Sequence, residues 1–212
     1  MLRNSENNAI VIGVAGGSGS GKTTLCERVI EAVGAETILL FQHDAYYHDL
    51  SRMPVSDPAR INYDHPASLE TDLCAEQLNT LRRGGQVAQP VYDFSTHRRT
   101  AETRPLQPHP VILVEGILVL GEAALREHMD LKVFVDADSD VRILRRIERD
   151  INERGRSLAS VRDQYYNTVR PSYEEFVAPS KQFADLIVPH GGQNTAAVEV
   201  IVGYIRERLA RG

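Results

Sequence analysis

Residues Gly16 to Thr24 read GGSGSGKTT and put Gly16, Gly21, Lys22 and Thr23 at the fixed places of the pattern G-x-x-x-x-G-K-[ST]. Each part answers a need of a bound phosphate chain. Gly16, Gly17, Gly19 and Gly21, with Ser18 and Ser20 between them, let the backbone turn and present N–H groups to an anion at close range. Lys22 would reach the outer phosphates, the Thr23 hydroxyl would hold magnesium, and Thr24 continues into a helix whose positive end faces the same anion.

Other groups could act on what that loop holds. Asp44 follows the apolar run Ile38 to Phe41 by three residues, and a carboxylate beside a terminal phosphate can take a proton from an incoming hydroxyl or join a magnesium site; an Asx turn closing the strand is the alternative. Glu115 ends ILVEG, where enzymes with such a loop place an acid, usually Asp, near the metal; a helix-capping carboxylate is its alternative. Arg142, Arg145, Arg146 and Arg149 fall within about a 100° arc of one helix face. Four guanidinium groups on one face repel unless an anion is shared, which suits a lid that neutralises transferring phosphate. The interspersed acids Glu148, Asp150 and Glu153 equally suit a solvated, salt-bridged helix. Tyr92 and Phe94 share a strand face on which a base or sugar could stack, an aromatic pair sealing the hairpin onto the body being the equal alternative, and His97, which follows them, reads on its own as a surface turn residue.

These groups need a scaffold that brings them to one edge. Strand patterns at Ala9–Val14, Thr37–Phe41, Val111–Val114, Leu131–Val135 and Leu186–Val188 alternate with helical ones at Lys22–Val33, Leu69–Leu81, Ser139–Glu153 and Ala196–Leu209. That order predicts an α/β fold, a parallel sheet wrapped by helices with ligands at the carboxyl ends of its strands. Val87–Phe94 and Thr100–Leu106 predict an inserted β-hairpin within 86–107, and 139–165 the arginine-bearing helical lid, with Gly155 as a hinge or a helix end. Asp44 to Pro66 reads as a long functional loop. At 212 residues the chain has room for one sizeable core, hence a single domain, 1–212. A net charge of −5 argues against a general nucleic-acid or anionic-membrane partner. Cys26 and Cys74 lack metal spacing and read as buried thiols. With no signal-like or membrane-spanning apolar run, the expected location is the cytoplasm.

Several segments taken together resemble one family, the uridine (uridine-cytidine) kinases of the P-loop nucleoside kinase group. They are GGSGSGKTT, QHDAYY, NYDHP, PVYDFSTHRR, ILVEGIL, FVDAD, LRRIERDINERGR, Gln164-Tyr165 and VRPSYEEFVAPSKQFADLIVP, in the family's order from Ile10 to Pro189. The resemblance implies transfer of a phosphoryl group from ATP or GTP, with magnesium, to the 5′-hydroxyl of uridine or cytidine. It implies Asp44 as base, Lys22 and the residues of the loop as phosphate ligands, and Thr23, Asp44 and Glu115 at the metal. Asp64 and Arg146 would grip the ribose hydroxyls, while Tyr47, Tyr92, Phe94, His97, Arg156 and Gln164 line the nucleoside pocket and Arg149 faces the phosphates. A homotetramer is likewise implied. After Pro66 the chain departs from the family's usual run, reading Ala67, Ser68, Leu69, Glu70, so the start of the next helix differs.

Two rival readings remain on residues alone. A sister kinase for a sugar phosphate or another small alcohol would need basic residues in the acceptor pocket. A non-catalytic nucleotide sensor would lack Asp44, Glu115 or the arginines, and all are present.

Overall fold

The computed structural model describes residues 8–49, 62–94, 96 and 98–211. Five parallel strands form the central sheet: β1 (Ile10–Ala15), β2 (Ile38–Gln42), β5 (Val111–Glu115), β6 (Leu131–Val135) and β7 (Leu186–Val188), in the order β2-β5-β1-β6-β7. Parallel strands need crossovers, and helices supply them: α1 (Lys22–Val33) after β1, and α2 (Thr71–Arg82) with the hairpin β3 (Val87–Asp93) and β4 (Arg98–Leu106) between β2 and β5. Beyond β5 come α3 (Ala123–Arg126), then α4 (Ser139–Asn152) after β6, and α8 (Thr195–Arg211) closes the chain.

The period-two alternation of the strands divides the core between the two faces of the sheet. Val11, Ala15, Ile112, Val114 and Phe134 face α2 and α3 with Leu78, Leu81 and Leu125. Ile10, Ile12, Val14, Leu113 and Val135 face α1 and α8 with Leu25, Ile201 and Ile205. Both faces being covered explains the near-continuous apolar strands, and each fully buried Leu or Ile contributes about 1.5–3 kcal/mol. Cys26 and Cys74 are buried free thiols, as expected.

Three boundaries differ from the sequence-based expectation. Leu69 does not open a helix; it pairs with Tyr47 in an antiparallel bridge after a 3-10 turn at Pro66–Ser68, and α2 begins at Thr71. This is the segment that departs from the family's usual run, and its Glu70 meets Arg99 of β4 at 2.5 Å. In the hairpin, Arg98 and Arg99 belong to β4 rather than to the turn, opposite Asp93 and Tyr92. The stretch expected as one long loop opens with a 3-10 turn, His43–Tyr46, and residues 50–61 lie outside the described part.

Past α4, helix α5 (Leu158–Gln164) continues through a π turn (Tyr165–Val169), α6 (Arg170–Ser172), a second π turn (Tyr173–Val177) and α7 (Ala178–Ser180). A proline inside a helix lacks its N–H and clashes with the preceding turn. Pro171 and Pro179 each sit just after a π turn, whose wider coil takes up the misfit. Among the described residues no helix is long and apolar enough to cross a membrane.

Candidate active site

The glycine-rich loop bridges β1 and α1. Gly21 caps α1 with φ 93°, where a Cβ would also lie 2.6 Å from the backbone nitrogen of Gly192, so only glycine fits without strain. No side chain caps that helix end, which leaves its first N–H groups for a ligand. Lys22 is buried, donating to the Gly17 carbonyl at 3.3 Å and standing 3.8 Å from Glu115 Oε1. Ser18, Gly19, Gly21, Lys22, Thr23 and Thr24 line a cavity of about 700 Å³. Gly16, Gly17 and Ser20 shape the turn without lining it.

β2 and β5 pair with Gln42 opposite Glu115, so the 3-10 turn after β2 delivers Asp44 to the edge where β5 ends. Burial pushes both carboxyls above their usual range, against the pull of Lys22 on each, and Asp44 raises Glu115 further. Asp44 Oδ1 is buried without a hydrogen-bond partner, and Thr23 Oγ1 is 3.5 Å from Glu115 Oε2. Among the described residues no group of three His, Cys, Asp or Glu side chains could hold a metal alone. Two carboxylates and a hydroxyl facing a phosphate loop fit a hard cation such as Mg²⁺, which commonly binds through one or two carboxylates plus substrate phosphates. His43, next in sequence, is buried and pushed down to about 4, so it stays neutral.

A ring cluster lines the same cavity. Tyr47 packs on Tyr92 at 5.0 Å and Tyr63 at 5.6 Å between centroids, and Phe94 sits 5.2 Å from Tyr92. Tyr92, in β3, and Phe94, one residue past the end of that strand, thus present neighbouring rings. Asp64 lies beside them, buried and raised by that burial, with Arg146 pulling it down. His97 lies outside the described residues. Tyr63, which also lines the cavity, was not singled out by sequence reasoning, although its place next to Asp64 in NYDHP was a signal.

The arginines do not act as one face. Arg142 turns away from the cavity: it stacks on Tyr173 at 3.8 Å, bonds the Ala137 carbonyl, and closes against Gly17, where a Cβ would come within 2.4 Å of its Nη1. Arg145 reaches the Gly19 carbonyl at 3.5 Å. Arg146 donates to Ser18 Oγ and to Gln164 Oε1, each at 2.8 Å, which ties α4 to the phosphate loop. Gln164 Oε1 also accepts from Arg156 at 2.7 Å, so its carbonyl serves two guanidinium groups and its amide NH₂ is what it can offer a base. Arg154 stands over the Phe94 ring at 5.3 Å, joining the α4–α5 connection to the hairpin. Arg154, like Asp150 beside it, was not assigned to the site from sequence; both lie inside LRRIERDINERGR.

One cavity thus gathers Lys22, Asp44, Asp64, Glu115, Arg146 and Arg149, drawn from five separate parts of the chain. Its lining includes both the glycine-rich loop and aromatic rings, with the buried carboxylate of Asp64.

Comparison with known proteins gives a family and a fold. The model of the phosphoribulokinase/uridine kinase family matches residues 11–197. A protein of Ligilactobacillus salivarius named uridine kinase is 47% identical over 210 residues, 99% of each chain. Among solved structures, a putative fructose transport system kinase from Silicibacter sp. TM1040 superposes with a TM-score of 0.69 at 18% identity, covering 89% of this chain and 93% of that one. Phosphoribulokinase from Rhodobacter spheroides gives 0.64 at 16% identity, covering 86% and 70%. At such identities the two structures speak for the P-loop kinase fold alone.

Proposed function

The chain belongs to the phosphoribulokinase/uridine kinase family, and within it we propose that this kinase transfers the γ-phosphoryl group of ATP or GTP to the 5′-hydroxyl of uridine or cytidine, giving UMP or CMP. The observation that carries the reading is the single cavity lined both by Lys22 of the phosphate loop and by Asp64, Tyr92 and Phe94, with Asp44 on its wall.

The residues divide the work as follows. Backbone N–H groups of the loop and the end of α1 hold the phosphates, and Lys22 follows the charge that moves outward with the transferring group. Thr23, Asp44 and Glu115 would hold Mg²⁺, which when bound supplies charge neutralisation along the phosphates. Tyr47, Tyr92 and Phe94 stack the pyrimidine, with His97 and the Gln164 amide reading its edge. Asp64 accepts hydrogen bonds from the vicinal ribose hydroxyls and Arg146 closes on the same sugar, which sets the 5′-oxygen in line with the phosphorus. Asp44 takes the proton of that oxygen late, because a loose transition state asks mainly for position and charge. Arg146 and Arg149 add positive charge where it develops and help to exclude water.

The chain acts as one kinase domain in this reading, with the hairpin at 86–107 over the nucleoside and 139–165 as its lid. A cytoplasmic location, as expected from the sequence, and a homotetramer, resting on the family resemblance, complete the proposal; light scattering tests the latter. The function itself is tested by phosphoryl transfer over ribo- and deoxyribonucleosides with ATP and with GTP. Transfer to uridine and cytidine is expected, and transfer to a sugar phosphate with none to either nucleoside overturns it.

A further inference from the structure

Asp150 has a fully buried side chain in the last turn of α4, two conditions that ordinarily work against a carboxylate. Burial removes its water, and the last turn of a helix carries partial negative charge. Four guanidinium groups converge on it. Arg149 gives it two bonds, Nε at 3.0 Å and Nη2 at 2.8 Å, while Arg156 donates at 3.4 Å, Arg154 stands at 3.5 Å and Arg146 at 3.6 Å. Burial pushes the carboxyl up, yet Arg146, Arg149 and Arg154 outweigh it and hold it below the usual value, so it stays charged. The backbone closes the same knot, with Arg156 N–H bonded to the Asp150 carbonyl at 3.0 Å.

We infer that Asp150 is the positioning residue of the phosphoryl-transfer site: its buried carboxylate gathers Arg146, Arg149, Arg154 and Arg156 against their mutual repulsion and holds them aimed at the cavity before any ligand arrives. The inference rests on the kinase reading above. Four cations cannot share so small a volume without an anion. A substrate phosphate could serve as that anion, but arginines held apart until it came would have to be ordered during each turnover. A resident carboxylate removes that cost and leaves the cluster positive, so it can still attract the transferring group. Asp150 touches no reacting atom and acts through the arginines alone.

The test sets Asp150→Asn, which keeps shape and loses charge, against Asp150→Glu, which keeps charge and changes length. Both full-length variants are compared with wild type for kcat on uridine, ATP affinity and melting temperature. A positioning role through charge predicts a kcat loss of about 10- to 100-fold for Asn, a smaller loss for Glu, and a non-additive effect with Arg149→Ala of at least about threefold. A role in packing alone predicts the reverse order, Asn milder than Glu, or losses that multiply with Arg149→Ala, and either result overturns the inference. Should the Asn variant not fold, the wild-type protein still decides. In the ligand-free state the Arg149 Nε–H is expected to be protected from solvent exchange in ¹⁵N spectra, and free exchange there refutes prior ordering. If wild type fails to phosphorylate uridine, the functional reading falls on its own, while ATP affinity and the exchange measurement still judge Asp150.

Discussion

The Lys22 ammonium stands 3.8 Å from the Glu115 carboxylate, joining the first residue of α1 to the last residue of β5. Glu115 thereby holds the lysine over the phosphate loop while lying 3.5 Å from the Thr23 hydroxyl. The same carboxylate can serve a cation and restrain a lysine, which accounts for its burial at a strand end.

Glu115→Gln weakens both tasks, and the metal requirement reads out the hold on the cation. It keeps shape and removes charge, so the Mg²⁺ concentration for half-maximal turnover is expected to rise about tenfold or more, with a smaller change in the KM for uridine. Magnesium titrations of the steady-state rate check this, and an unchanged Mg²⁺ requirement removes Glu115 from the metal site.

Asp44→Asn is expected to leave ATP affinity nearly intact and to lower kcat by about two orders of magnitude or more, the usual scale of general-base loss. Calorimetry and a coupled rate assay measure the two effects. A loss under about tenfold gives Asp44 another task.

Asp64 yields a prediction in pH. Burial sets its folded pKa above the unfolded one, so in the ligand-free protein it contributes stability below the ordinary carboxylate value, lost as pH rises through the raised value. Ribose hydroxyls donate to the charged form, so affinity runs the other way: the Kd for uridine rises as pH falls from about 7 to 4. Asp64→Asn is expected to flatten that dependence and to narrow the preference for uridine over deoxyuridine by about tenfold. A variant with the wild-type slope assigns the titration elsewhere.

Gly21→Ala forces a side chain into φ 93° and against Gly192. The strain, about 1–3 kcal/mol, is expected to lower the melting temperature by roughly 2–10 °C and to abolish the further rise that ATP gives the wild type. Calorimetric scans with and without ATP measure both. An ATP-stabilised variant shows the loop tolerates the change.

The aromatic face at Tyr92 and Phe94 followed from period-two alternation, and the edge shared by Asp44 and Glu115 followed from where two apolar runs stop. The first is local to one stretch of chain, while the second also needs β2 and β5 to pair. The long loop and the start of α2 were less legible, because Leu69 fits a helical spacing as well as a bridge to Tyr47 and only the partner decides.

What the sequence determined by itself was the phosphate loop, the alternation of strand and helix patterns, and where each apolar strand ends, since each depends on residues within a few positions of one another. Tertiary structure alone decided which distant partners the arginines meet. Helical periodicity gave four of them a common face, but a long flexible side chain takes its direction from what it meets: Tyr173 drew Arg142 away from the cavity and Ser18 drew Arg146 to the phosphate loop, both distant in sequence, while the grouping of Arg146, Arg149, Arg154 and Arg156 around Asp150 is local to one stretch of chain.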